Sequence, residues 1–154
     1  MKKIFGLISA AALCGMLLCS CGGKGSAESA QDLLKTAKES GAAFEELVSV
    51  EGSDIKFTYE LEESWYEDFA AEAAGNMAFA DEIVFVKASS DENISKIQSA
   101  LETRVKSRKD TLQSYAPAEY DKLCKSEIKT NGDYIYLIVG ADAKTAQKAV
   151  EKAF

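Results

Sequence analysis

The 154-residue chain has no histidine, a single proline and a single tryptophan. The absence of histidine removes the side chain best suited to moving protons near neutral pH and the commonest metal ligand. No nucleophile elbow and no spaced set of metal ligands replaces it, so acid–base chemistry would rest on carboxylates alone. No cofactor and no metal is expected, and the chain reads as one that is not an enzyme. A long hydrophobic run is lacking too. The uncharged segment 4–18, rich in Leu, Ala and Ile, falls short of the ~20 apolar residues a spanning helix needs. Positive charge is scarce: 18 Lys and Arg stand against 25 Asp and Glu. Such a chain is repelled by nucleic acid and by anionic phospholipid, so neither is an expected partner.

What is present at the front is an export signal. Lys2 and Lys3 precede the apolar segment, which ends in Leu18-Cys19-Ser20-Cys21. That ending resembles the lipobox of bacterial lipoprotein signal peptides, with an aliphatic residue three places before a cysteine and small residues between. The resemblance implies that residues 1–20 are removed and that Cys21 carries a diacylglycerol thioether. The protein would then be lipid-anchored to the bacterial cell membrane, facing outside the cytoplasm. An ordinary signal peptide cut elsewhere and an uncleaved anchor are the alternatives. Each buried methylene contributes ~0.8 kcal/mol and one chain holds only marginally, so two or three acyl chains on one residue make release slow. Residues 21–29 follow as a glycine-rich tether with a reach on the order of 15 Å, and 30–154 as one domain.

Cys14 and Cys19 would leave with the signal and Cys21 would be alkylated, which leaves Cys124 alone and no intramolecular disulfide. Cys124 follows Leu123 near the end of a short helix and reads as a small buried hydrophobe rather than a reactive thiol.

Charge is unevenly spread. Without Lys2 and Lys3 the chain holds 16 basic and 25 acidic residues, a net charge of −9. Segment 45–72 alone carries ten acids against Lys56, which is the whole of that excess. Phe57, Tyr59, Trp65, Tyr66 and Phe69 are interleaved with it. Glu62, Glu63, Trp65, Glu67 and Asp68 are the candidate surface for a ligand or partner, such as a cationic group, a basic peptide or calcium. The plainer alternative is a solvated acidic face whose aromatics point inward.

The spacing of Leu33, Leu34 and Ala37 predicts a helix over residues 30–40, ended by Gly41, with Phe44, Leu47 and Val48 packing onto the domain. Residues 66–74 are ambiguous: Ala and Glu favour helix, whereas Phe69, Ala71 and Ala73 could line one face of a strand. Glu82-Ile83-Val84-Phe85-Val86 is a strand. Ser89 and Glu92 predict a capping box opening the longest helix, to about Asp110, with Ile94, Ile97, Leu101 and Val105 as its buried stripe. Lys96, Arg104, Lys106, Arg108 and Lys109 make the rest of that helix basic, as a solvated face or as a dock for an anionic wall polymer or the chain's own acidic segment. Pro117 starts a short helix to about Cys124. Thr130-Asn131-Gly132-Asp133 marks a hairpin into a strand apolar on both faces, and Asp142 caps a last helix.

Asp81-Glu82-Ile83, the helix ending in Arg108-Lys109-Asp110, Tyr115-Ala116-Pro117-Ala118-Glu119-Tyr120 and Gly132-Asp133-Tyr134 together resemble a family of bacterial lipoproteins, domain of unknown function 4358. The resemblance implies a strand over 66–74 and carries no reaction. Tyr115 and Tyr120 read as packing residues. The fold expected is α+β: a small antiparallel sheet of about four strands with a long central helix and a C-terminal helix. Three functions are weighed: a non-enzymatic binding or accessory module engaging an envelope protein or wall polymer; a structural or assembly subunit; and a small carboxylate-based hydrolase.

Overall fold

A computed structural model describes residues 28–154. The expected signal segment, Cys21 and most of the expected tether lie outside the described residues. The chain forms α1 (Ala30–Glu39), β1 (Leu47–Ser49), α2 (Ser53–Tyr59), a 3-10 turn (Glu63–Trp65), β2 (Tyr66–Ala74) and β3 (Glu82–Ala88). It continues through α3 (Asp91–Leu112), α4 (Pro117–Lys125), β4 (Ile128–Asn131), β5 (Tyr134–Val139) and α5 (Ala143–Val150). The fold is α+β, with an antiparallel five-stranded sheet in the order β1-β2-β3-β5-β4.

Period-two alternation sorts the sheet's side chains into two cores. Val84, Val86, Ile135, Leu137 and Val139 face Ile97 and Leu101 of α3, with Tyr59 and Leu61. Ile83, Phe85, Tyr134, Tyr136 and Ile138 face Leu33 and Leu34 of α1 and Ala146 and Val150 of α5. The sheet is therefore the middle layer, and every residue of β5 is buried. Burial on both faces explains the continuous apolar run from Tyr134 to Val139. The β4–β5 hairpin turns on Gly132 and Asp133, with Gly132 at φ 56°, a region that costs glycine little.

Residues 66–74 form a strand, with Phe69, Ala71 and Ala73 on the α3 side. Tertiary pairing to β3 overrides the helical propensity of the alanines. The strand count exceeds the expected four because Leu47–Ser49 pairs with β2; three residues are too few to show a period. Val48, expected to pack, is exposed on that edge.

The capping expectation at the start of α3 is corrected. Ser90 is the N-cap and makes no side-chain cap bond. Ser89 Oγ instead donates to the Ser64 carbonyl at 2.8 Å and accepts from Asn93 Nδ2 at 3.0 Å, tying the helix to the 3-10 turn. A capping box does occur on α1: Asp32 N–H donates to Ser29 Oγ at 3.1 Å and Ser29 N–H to Asp32 Oδ2 at 3.3 Å.

Candidate functional site

The acids of segment 45–72 have different fates. Asp68 Oδ2 accepts from the Ala30 N–H at 2.8 Å, so it serves the N-terminus of α1. Glu72 pairs with Lys38 at 2.6 Å, and Glu67 pairs with Lys87. Glu62 makes an exposed pair with Lys56 at 2.9 Å, a contact worth little in water. Glu63 is exposed in the 3-10 turn. Of the five candidate residues, Glu62, Glu63 and Trp65 share the surface around that turn, whereas Glu67 and Asp68 are drawn into β2.

Helix α2 shapes this surface. Ile55 and Tyr59, one turn apart, point to the core, which throws Phe57 outward at 84% exposure. The helix enters through Gly52 at φ 56° and leaves through Glu60 at φ 57°. Glu60 is the one positive-φ residue other than glycine among the described residues, a conformation costing about 1 kcal/mol.

Two concavities flank the 3-10 turn. A cleft of about 570 Å³ is lined by Ile55, Lys56, Phe57, Glu62, Glu63 and Tyr66, among others. Burial, then the Glu63 charge, raises the Tyr66 pKa above its ordinary 10.0, so its hydroxyl stays protonated near neutrality and can donate. On the other side an open groove of about 420 Å³ runs along α3, lined by Glu60, Trp65, Ser95, Lys96, Ser99, Ala100 and Thr103. The Lys96 ammonium lies 5.8 Å from the Trp65 ring centroid.

At the other end of β3 the charges are buried and matched. Asp81 and Glu82 are each 2% exposed. Lys122 Nζ reaches Asp81 Oδ2 at 2.6 Å and Glu119 Oε2 at 3.0 Å, and Glu119 Oε2 accepts from the Ala80 N–H at 2.8 Å. Arg104 Nε meets Glu82 Oε1 at 3.2 Å, and its guanidinium stands 5.7 Å from the Tyr59 centroid. Arg108 donates to the carbonyls of Met77 and Phe79 at 2.9 and 2.6 Å, holding the β2–β3 connection. Burial disfavours the Lys122 ammonium, but the hydrogen bonds to Asp81 and Glu119 outweigh it and its pKa is raised. The Tyr59 hydroxyl is buried beside Glu82 without a hydrogen bond of good geometry, and burial followed by the Glu82 charge raises its pKa well above 10.0.

Three expectations are corrected here. The basic helix does not present a continuous cationic face, because Arg104 and Arg108 turn inward and Lys106 pairs with Asp110 at 2.7 Å. Cys124 is exposed rather than buried, since Leu123 takes the inward position of α4. Tyr115 is 56% exposed, while Tyr120 is half-buried against the α3-side core. The aromatics of the acidic segment turn inward, Tyr59 fully, with Phe57 as the exception.

Sequence reasoning missed Phe57 and Tyr66 as cleft walls and Ser95, Ser99 and Thr103 as a groove wall. The four-residue spacing of those three hydroxyls in a helix was the one signal for the groove. Among the described residues no group of three His, Cys, Asp or Glu is placed to hold a metal ion, and no helix is long and apolar enough to cross a membrane.

No curated protein and no solved structure matches the chain. The family model described as Domain of unknown function (DUF4358) matches residues 40–140, a span that takes in β1, the cleft, the groove, the buried charges and the β4–β5 hairpin, and the chain belongs to that family.

Proposed function

We propose that the protein is a membrane-anchored extracytoplasmic lipoprotein that works as a non-enzymatic binding or accessory module of the cell envelope. The lipobox-like Leu18-Cys19-Ser20-Cys21 supports the anchor, with lipid on Cys21 as the link to the membrane. The cleft beside the 3-10 turn carries the binding reading: about 570 Å³, within the usual range for ligand sites, walled by an aromatic ring at 84% exposure and rimmed by Glu62 and Glu63. An exposed phenyl face beside carboxylates suits a cationic group, such as a lysine or arginine side chain of an envelope protein. The dispersal of Glu67, Asp68 and Glu72 into separate contacts favours binding over paired-carboxylate hydrolysis.

In-cell crosslinking of the full-length protein, with captured proteins identified by mass spectrometry, tests this reading. Wild type should capture one specific envelope protein, and Phe57→Ser with Glu62→Gln and Glu63→Gln should lose it while staying folded. Cys21→Ala should release the protein from the membrane fraction and block incorporation of a labelled fatty acid. Equal capture by wild type and the cleft variant would defeat the binding site, and unchanged membrane retention of Cys21→Ala would defeat the anchor. Self-crosslinking alone would favour an assembly subunit.

A further inference from the structure

The groove on the far side of the 3-10 turn has a chemistry different from that of the cleft. Trp65 is presented on a pinned backbone: its N–H donates to the Glu62 carbonyl at 2.9 Å, and its carbonyl accepts from the Ser89 N–H at 3.0 Å. The indole packs against the α3-side core and borders the groove, where the Lys96 ammonium lies 5.8 Å from its centroid, so a ligand that stacks on the ring displaces that ammonium. Facing it along α3 are Ser95, Ser99 and Thr103, one per turn and all exposed, with rises of roughly 6 Å between them. Thr103 Oγ1 donates to the Ser99 carbonyl at 2.9 Å, which leaves its lone pairs toward solvent as acceptors. Lys96 is steadied by Asn93 Oδ1 at 2.8 Å and offers a donor, and Glu60, which also lines the groove, offers an acceptor.

Serine and threonine are poorer helix formers than alanine by up to ~0.5 kcal/mol each, so this face is not the one helix stability alone would select. A polyanion would call for a run of bases, but the groove is lined by one base, Lys96, and one acid, Glu60. A docked peptide helix would call for apolar walls, but beyond the indole only Ala100 is apolar. An aromatic plate combined with hydroxyl donors and acceptors matches a molecule with one apolar ring face and a polar edge.

We propose that the Trp65 groove binds a neutral glycan, with a pyranose ring stacked on the indole and its hydroxyls bonded by Ser95, Ser99, Lys96 and Glu60. The proposal deepens the binding-module reading above and rests on it, the wall polymer being the natural source of such a glycan outside the membrane. The groove's volume of about 420 Å³ and its open ends suit an internal stretch of a longer chain.

Because Trp65 is the sole tryptophan, its fluorescence reports this groove alone. Full-length protein in detergent is titrated with N-acetylglucosamine oligomers and, separately, with cello-oligosaccharides. A saturable change in emission with at least one of them is expected, together with retarded migration through a gel containing the matching polysaccharide. Ser99→Tyr, which fills the groove from an exposed helical position, should weaken binding at least about tenfold with unchanged thermal unfolding. Trp65→Phe should keep the fold and lose most of the retardation. No spectral response and no retardation in wild type would overturn the proposal, as would undiminished binding by Ser99→Tyr. A silent titration alongside a protein captured at Phe57 and Glu62 would remove the glycan and leave the cleft standing.

Discussion

The two ends of the molecule use charge in opposite ways. At the Asp81–Glu82 end three acids and three bases are drawn into contacts that hold β3, α3, α4 and the β2–β3 connection together. At the α2 end, acids lie on the surface around an exposed phenyl ring, with Lys56 as the one base of the whole acidic segment. A charge taken out of water must bring its partner, so buried charges specify geometry. A charge left in water gains little from any neighbour and stays available to a partner molecule. Asp81, Glu82, Arg108 and Glu119, four of the residues that carry the family resemblance, lie at the first end. That placement gives them a structural task.

Breaking the matched end should have the largest effect. Lys122→Met strands the Asp81 carboxylate, buried at 2% exposure, and should cost about 3–5 kcal/mol in denaturant unfolding. A loss below about 1 kcal/mol would mean that the network is incidental. Alkali attacks the same contact. The Lys122 pKa is raised in the fold relative to its ordinary 10.5, so its stabilisation is complete below that value and is lost as pH climbs through the raised one. Unfolding titrated upward from pH 9 should show a stability loss that Lys122→Met lacks.

Acids close in sequence, on the 3-10 turn and on β2, test the same contrast. Asp68→Ala removes the acceptor of the Ala30 N–H and should cost about 1–2 kcal/mol, whereas Glu62→Gln with Glu63→Gln should stay within about 0.5 kcal/mol of wild type. Thermal melts of the two variants decide this, and equal losses would erase the distinction between structural and free acids. Tyr59→Phe is a subtler probe at the boundary between the two regions. It deletes a buried hydroxyl that lies beside Glu82 without a hydrogen bond of good geometry, so stability should stay within about 0.5 kcal/mol of wild type, where an ordinary buried tyrosine would lose about 1 kcal/mol.

Legibility in the sequence followed the range of the interactions. Helix α3 was readable because Ile97 and Leu101 repeat at its own period, and the β4–β5 hairpin because Asn131-Gly132 encodes a turn locally. Strand β2 was left open by its alanines and resolved by family resemblance, since its conformation comes from pairing with β3. Helix α2 went unseen because Ser53–Tyr59 spans too few residues to display a period. Ser89 satisfied a capping pattern but was claimed by the Ser64 carbonyl, a contact 25 residues away.

The sequence alone determined the α+β class, the charge imbalance of segment 45–72 and the apolar strands at the centre of the sheet. These follow from composition and from periods of two and 3.6, which a stretch of chain long enough to repeat displays by itself. Which acids are tied into structural contacts and which stay at the surface came from the tertiary structure, because it depends on whether a base or a backbone N–H of another element meets them away from solvent. The tertiary structure also decided that Arg104 and Arg108 turn inward and that Phe57 turns outward. Those orientations are set by the face each helix must bury, and the elements on which it packs lie elsewhere in the chain.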